Sequence, residues 1–164
     1  MEAVIGAVLR SWAHQRGYAQ RLVADLSDED MVSQPVAGVT MNHPAWVLSH
    51  LTLYAGIVGA MLRGEEFEDP LKHRHGRESR PVNDVNEYPR KEALLAEYFR
   101  VHDDAARVLG EVGTGALERE MTLPRWRERW PRVGDAVIHL MLHHEAVHLG
   151  QISAWRRAGG RPAV

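Results

Sequence analysis

Apolar residues recur every three or four positions along most of this chain, which is the spacing of one face of an α-helix. The first such face, between Val4 and Leu26, is formed by Ile5, Val8, Leu9, Trp12, Ala19, Leu22, Val23 and Leu26. Three further helices are predicted over about Pro44–Leu62 (ending at Gly64), 90–112 and about Val133–Arg157 (ending at Gly159 and Gly160). Strand-like alternation is nearly absent. The pattern therefore predicts an all-α protein, a four-helix bundle, with residues 1–164 forming one domain.

The connections between the predicted helices are polar and irregular. Residues 65–89 are charged and contain Pro70, Gly76, Pro81 and Pro89 without a sustained period, so they predict a long loop of the kind that is often functional or mobile. Ser27 can cap a short turn after the first helix, and Asn42 or His43 is placed to cap the second helix.

Charge and composition narrow the functional classes. The 20 Lys and Arg residues are balanced by 22 Asp and Glu residues, so no basic surface for nucleic acid is expected. Without cysteine, any metal must be held by nitrogen and oxygen ligands. The N-terminal segment lacks a basic start and a long apolar stretch, and no apolar run approaches the roughly 18 residues that span a bilayer. These features predict a soluble, cytoplasmic protein that does not enter a membrane.

Candidate chemistry comes from histidine, which occurs ten times. At about 100° per residue, the inward apolar arc of the fourth helix contains Val137, Leu140, Met141, Val147, Ile152 and Trp155. His144 and His148 fall within this arc, whereas His139 and His143 lie towards its outside. His50 is central to the apolar stripe of the second helix. A pair at positions i and i+4, with a third imidazole from a neighbouring helix, can bind one divalent ion and so satisfy buried rings. His50, His144 and His148 are therefore the predicted metal ligands.

Structural interpretations remain open for several of these residues. A single core-facing histidine is more often a hydrogen-bonded structural residue than a ligand, and this holds for His50 taken alone. His102 lies on the inner stripe of the third helix and is predicted to be a reserve ligand or a group behind the ligands. Gln151 can either form a hydrogen bond with a bound ligand or have a structural role. His14, His73 and His75 are predicted to be solvated, and Trp12, Trp46 and Trp155 to lie in the core.

Residues 144–148 also read HEAVH, which matches the HExxH motif of zinc proteases. Such a protease uses the Glu as general base and usually takes a third ligand downstream. After His148 the chain contains no His, Asp or Glu. Glu145 is also predicted to lie off the inward arc, about 100° from His144, but this offset holds in every HExxH helix and does not by itself exclude a base role. A metalloprotease is disfavoured mainly because the downstream ligand is missing.

Two motifs together resemble the DinB/YfiT-like superfamily: NHPAWVLSHLTLYAG at residues 42–56 and HHEAVHLGQISAWRRAGG at residues 143–160. That family is a four-helix bundle with a His on the second helix and an HxxxH pair followed by Gly-Gln on the last. Its pattern falls on His50, on His144 with His148, and on Gly150 with Gln151. The resemblance implies a divalent metal, commonly zinc or nickel, and often a homodimer. Some relatives are S-transferases or isomerases that use low-molecular-weight thiols such as bacillithiol or mycothiol.

The favoured hypothesis is a metal-dependent enzyme whose three-His site has open positions for water or an incoming thiol, with a small molecule as substrate. A metal-dependent hydrolase is the enzymatic alternative, and a non-catalytic bundle that binds metal or a small molecule is the other. A thiol requirement for turnover would separate the first two. Loss of the metal is expected as the pH falls through the imidazole range.

Overall fold

The computed structural model describes residues 2–164 and confirms the predicted all-α class. Helices account for 66% of the chain. Within the described residues, strand-like pairing is limited to an isolated bridge between Glu120 and Arg132.

Within residues 2–164, eight α-helices follow one another: α1 (Glu2–Val23), α2 (Asp28–Met31), α3 (Pro44–Arg63), α4 (Lys91–Glu111), α5 (Thr114–Glu118), α6 (Pro124–Arg127), α7 (Val133–Ile138) and α8 (Glu145–Ala158). Short 3₁₀ turns lie at Pro70–Lys72 and Val85–Glu87. The first three predicted helices correspond to α1, α3 and α4. The fourth is divided, because a π-helical turn at His139–His144 separates α7 from α8.

The ends of α3 follow from local chemistry. The His43 side chain accepts a hydrogen bond from the Trp46 N–H, so His43 rather than Asn42 is the cap, and Pro44 occupies the first turn. Gly64 ends the helix with φ 77°. A Cβ at Gly64 would also lie 2.2 Å from Arg119 Nη1, so no other residue fits this turn without displacement.

Helix α3 is the central helix of the protein. It packs against α4 and α8, while α1 packs against α4 and α8. The predicted core residues Trp12, Trp46 and Trp155 are buried. The expectation that no apolar run approaches membrane-spanning length was wrong for α3, which by length and composition could cross a membrane. However, 78% of its apolar window is buried inside the protein. Its hydropathy is therefore explained by its place in the core.

The π-helical turn changes which residues of the last helix face inward. The Glu145 N–H bonds to the carbonyl of Leu140, five residues earlier. One extra residue in a turn rotates all later positions by about 100°. Val147, which the uninterrupted pattern places inward, is consequently 46% exposed, and Glu145, predicted to lie off the inward arc, is 2% exposed. Both expectations were wrong for this one reason.

The C-terminal end of α8 is attached to α1 by a buried guanidinium. Arg156 is 2% exposed and donates to the Leu22 carbonyl at 2.9 Å and to the Asp25 carboxylate at 2.5 and 3.1 Å. It also donates to the carbonyl of Pro162. The side chain therefore has a structural role beyond its favourable position at a helix C-terminus.

We expect Arg156→Met to lower the free energy of unfolding by about 2 kcal/mol, because it leaves a buried carbonyl and a carboxylate without their donor. Arg157→Met, at an exposed position on the same turn, is the matched control and should change stability little. Urea denaturation followed by circular dichroism measures both. Equal effects of the two substitutions would show that the Arg156 bonds contribute nothing specific.

Candidate metal centre

The structure brings together the three histidines that the sequence predicted as ligands. His50 comes from the middle of α3, His144 ends the π-helical turn and His148 lies in the first turn of α8. One ring nitrogen from each lies within 4.8 Å of the other two. Such a group can hold a metal ion.

Hydrogen bonds behind two of the rings fix the position of their protons. His50 Nδ1–H donates to the His75 carbonyl at 2.7 Å, and His148 Nδ1–H donates to Gln151 Oε1 at 3.0 Å. Because each acceptor is a carbonyl oxygen, Nδ1 must carry the proton in both rings. The lone pair is then left on Nε2. This arrangement is the usual support for histidine ligands of a metal.

The His144 ring completes the set. Its Nε2 lies 3.0 Å from His50 Nε2, and its Nδ1 is buried with no hydrogen-bond partner among residues 2–164. A separation of this size suits two nitrogens that bind one ion at about 2.0–2.1 Å each. Without an ion, the contact requires a proton on His144 Nε2, since the His50 proton is on Nδ1. The donor set of three imidazoles therefore fits a divalent cation.

Burial keeps these imidazoles uncharged. Desolvation, reinforced by His148, lowers the pKa of His50 to about 3, and desolvation with the neighbouring rings lowers that of His144 to about 2. Burial also lowers the pKa of His148. All three rings are thus neutral at pH 7, which is the form that binds metal. Proton competition for the folded site consequently begins below the ordinary imidazole range that the sequence alone suggested.

A segment of the long loop covers this side of α3 through three side chains spaced along the helix. His43 Nε2 donates to the Val82 carbonyl, Trp46 Nε1 donates to Ser79 Oγ, and His50 donates to His75 as described. Gly76 makes the tight path possible, because a Cβ there would lie 1.7 Å from the Pro70 carbonyl oxygen. We call residues 75–82 the loop strap.

The histidines open into a cavity of ≈ 970 Å³ between the loop strap, α3, α6 and the π-helical turn. Trp46 stacks on His50 with ring centroids 4.7 Å apart, and Tyr54 lies 4.7 Å from both His50 and His144. The remaining wall is partly aromatic and partly charged: Trp126, Trp130, His139, Arg77, Arg125, Arg129 and Glu78. A cavity of this size accepts a small organic molecule.

His102 does not join the three-His group. Its Nδ1–H donates to the Tyr98 carbonyl at 2.7 Å, and its Nε2 lies 3.2 Å from Glu145 Oε1. The Tyr98 hydroxyl donates to the same oxygen at 2.5 Å. His102 therefore contacts Glu145, the residue after His144, and does not serve as a reserve ligand. Glu145 is held in the core by these contacts and does not line the cavity, so it is not placed to act as the base of a protease.

Sequence reasoning missed two residues that support the histidines. His75, predicted to be solvated, is half-buried, its carbonyl accepts from His50, and burial lowers its pKa to about 4. Asn42, considered only as a cap, donates from Nδ2 to Gln151 Oε1 at 3.0 Å and so helps to orient that amide towards His148. The predictions that His14 and His73 are exposed are confirmed.

The family model described as the DinB superfamily matches residues 11–152. The matched range includes all three histidines and Gln151. Among curated proteins, no match to the chain was found.

The lowered histidine pKa values predict how the stability of the metal-free protein depends on pH. Below the unfolded pKa of about 6.5, the unfolded chain takes up protons that the folded rings do not accept. The free energy of unfolding should therefore be highest above that pH and should fall as the pH drops towards 4. The decrease should be up to about 1.4 kcal/mol per pH unit for each buried imidazole that stays neutral in the folded protein.

Urea denaturation at pH 7.5, 6.0 and 5.0 in the presence of a chelator measures this slope. His144→Gln removes one buried ring and should make the pH dependence shallower, whereas His14→Gln, at an exposed position, should leave it as in the wild type. Parallel pH profiles for all three proteins would contradict the assignment of the slope to buried imidazoles.

Proposed function

We propose a metal-dependent function on the premise that this chain belongs to the DinB superfamily, as its match over residues 11–152 shows. The specific proposal is an S-transferase, an enzyme that activates a low-molecular-weight thiol as its thiolate and attaches the whole thiol, through its sulfur, to an electrophilic small-molecule substrate. The observation that supports it is the convergence of three imidazole lone pairs at an open cavity. Zinc or nickel is the proposed metal.

The neutral charge of the ligand set favours thiolate chemistry. His50, His144 and His148 would hold the ion without a carboxylate among them, so none of its charge is cancelled by the protein ligands. A divalent ion bound there would lower the pKa of a thiol or water ligand, making a nucleophile available near neutral pH. The His75 carbonyl and Gln151 orient the rings, and Trp46 covers one face of His50.

A hydrolase of the HExxH type is less well supported. That mechanism requires a carboxylate beside the ion and facing the substrate, whereas Glu145 is bonded to Tyr98 and His102 in the core. A purely structural metal site is less well supported, because the cavity is larger than a structural ion needs. A bundle that binds a small molecule without turnover is the non-catalytic alternative, and absence of turnover would distinguish it.

The remaining proposals concern the whole molecule. We propose that α1, α3, α4 and the α7–α8 segment form the four-helix bundle that the resemblance implies, as one soluble, cytoplasmic domain. A homodimer is proposed from the same resemblance. The near balance of acidic and basic residues supports the absence of a nucleic-acid partner.

Metal content tests the ligand assignment directly. Untagged wild-type protein should carry one divalent ion per chain, and His50→Ala, His144→Ala and His148→Ala should each weaken binding by roughly tenfold or more, since even residues behind the ligands have effects of that size. His139→Ala and His143→Ala are the matched controls and should retain the ion. Elemental analysis after gel filtration gives the stoichiometry. Loss of metal from the controls but not from the proposed ligands would reject the assignment.

Thiol binding tests the reaction class. A thiol with a pKa of about 8.5 is mostly protonated at pH 7, so binding as a thiolate should release a proton and should require the three histidines. In cobalt-substituted protein, bacillithiol, mycothiol or glutathione should produce the intense charge-transfer absorption of thiolate ligation. His144→Ala should abolish it and His143→Ala should preserve it. If none of these thiols changes the spectrum of a fully loaded site, the transferase proposal fails and a hydrolase or binding role replaces it.

A further inference from the structure

The cavity beside the three histidines has an excess of positive charge on its wall. Its lining includes Arg77 from the loop strap, Arg125 from α6 and Arg129 immediately after α6, with Glu78 as the acidic residue. This excess is local, because the chain as a whole has a net charge of −2.

The charge of Arg125 is already compensated. Its Nε and Nη2 donate to the two carboxylate oxygens of Asp69 at 2.8 and 2.5 Å. This bidentate pair fixes the guanidinium and leaves little of its charge for a ligand. Arg125 therefore supports the wall by anchoring α6 to the loop after α3.

Arg77 and Arg129 differ from Arg125 in this respect. Among residues 2–164, neither guanidinium has a carboxylate within salt-bridge distance. The Arg129 guanidinium lies over the Trp130 ring, with Cζ 5.0 Å from the ring centroid. That contact orients the side chain but leaves its N–H groups available to an oxyanion.

Both arginines line the same cavity as an aromatic surface that continues to the histidines. Trp130 meets Trp126 edge-on with centroids 5.3 Å apart, and Trp126 stacks with Tyr54 at 6.2 Å. Tyr54 in turn contacts the His50 and His144 rings.

We propose that the substrate of this cavity is an organic oxyanion with a planar or apolar body. Its carboxylate or phosphate group would be bound by Arg77 and Arg129, its body would lie against Trp126 and Trp130, and its other end would reach the three histidines. This proposal rests on the proposed function only where it places the reacting end of the substrate at the three histidines. The recognition of the anion by the two arginines does not require a metal.

Isothermal titration of zinc-loaded protein with three matched probes tests the proposal: 2-naphthoate, 2-naphthyl phosphate and the neutral 2-naphthamide. At least one of the anions should bind about tenfold or more tightly than the amide, as expected for charge-assisted bonds to a guanidinium pair. The comparison of the two anions identifies which oxyanion the site prefers. The preference should weaken as salt is added.

Variants assign the preference to particular residues. In the double variant Arg77→Met and Arg129→Met the anion preference should fall to less than about threefold. Arg129→Lys, which keeps the charge but loses the planar fork, should give an intermediate value. Arg157→Met, an exposed arginine at the end of α8, is the matched control and should behave as the wild type. All of these positions are exposed, and circular dichroism confirms that the variants are folded.

The same titrations on metal-free protein separate this proposal from the proposed function. An anion preference that persists without metal and disappears in the double variant supports the proposal, whether or not the wild type takes up zinc. A preference found only in zinc-loaded protein and retained by the double variant would mean that the oxyanion binds the ion, and the proposal would be overturned. Equal binding of all three probes, or no measurable binding of any, also overturns it.

Discussion

The π-helical turn at His139–His144 is the constraint on which both the core and the site depend. Helical turns of this kind are rare and are frequently found at functional sites. Here the turn lets His144 point towards His50 while the following residues rotate, so that Glu145 faces Tyr98 and His102 instead of the solvent. A straight α-helix through the same residues could not bury Glu145 and expose Val147 while keeping α8 packed on α1.

The second constraint is the need to satisfy buried, uncharged imidazoles. The loop strap satisfies the imidazoles of His43 and His50, each of which donates a hydrogen bond to a loop carbonyl. It also accepts a hydrogen bond from the indole N–H of Trp46. The same three bonds place the strap as a wall of the cavity, and they bring Arg77 to its lining. The stability of the fold and the shape of the site therefore depend on one set of contacts. The long irregular loop thus accepts hydrogen bonds from α3 and its cap and also lines the cavity.

The sequence predicted the helices and the histidine group because both depend on local periodicity. Apolar spacing gave the bounds of α3 to within a residue, and the i, i+4 pair with His50 identified the rings that converge. The errors arose where tertiary contacts determine which way a side chain faces. No local residue pattern predicts the π-helical turn, so Glu145 and Val147 were assigned to the wrong faces of the last helix. His75 and Asn42 could not be assigned because their roles depend on how a distant segment packs against α3 and α8.

The letters HExxH thus describe two faces of one helix rather than one catalytic site. In a zinc protease the glutamate shares the ion's solvent side with the substrate. Here the carboxylate of Glu145 lies in the core, where it contacts a tyrosine and a histidine from α4. What remains on the cavity side is a neutral imidazole set, an aromatic wall and two arginines without carboxylate partners in the described chain. Those groups lack a protease's base, and they are the groups on which the proposed metal and the proposed anionic substrate depend. The chemistry of the site is therefore set by the helical phase that the π-helical turn imposes, and not by the motif's letters.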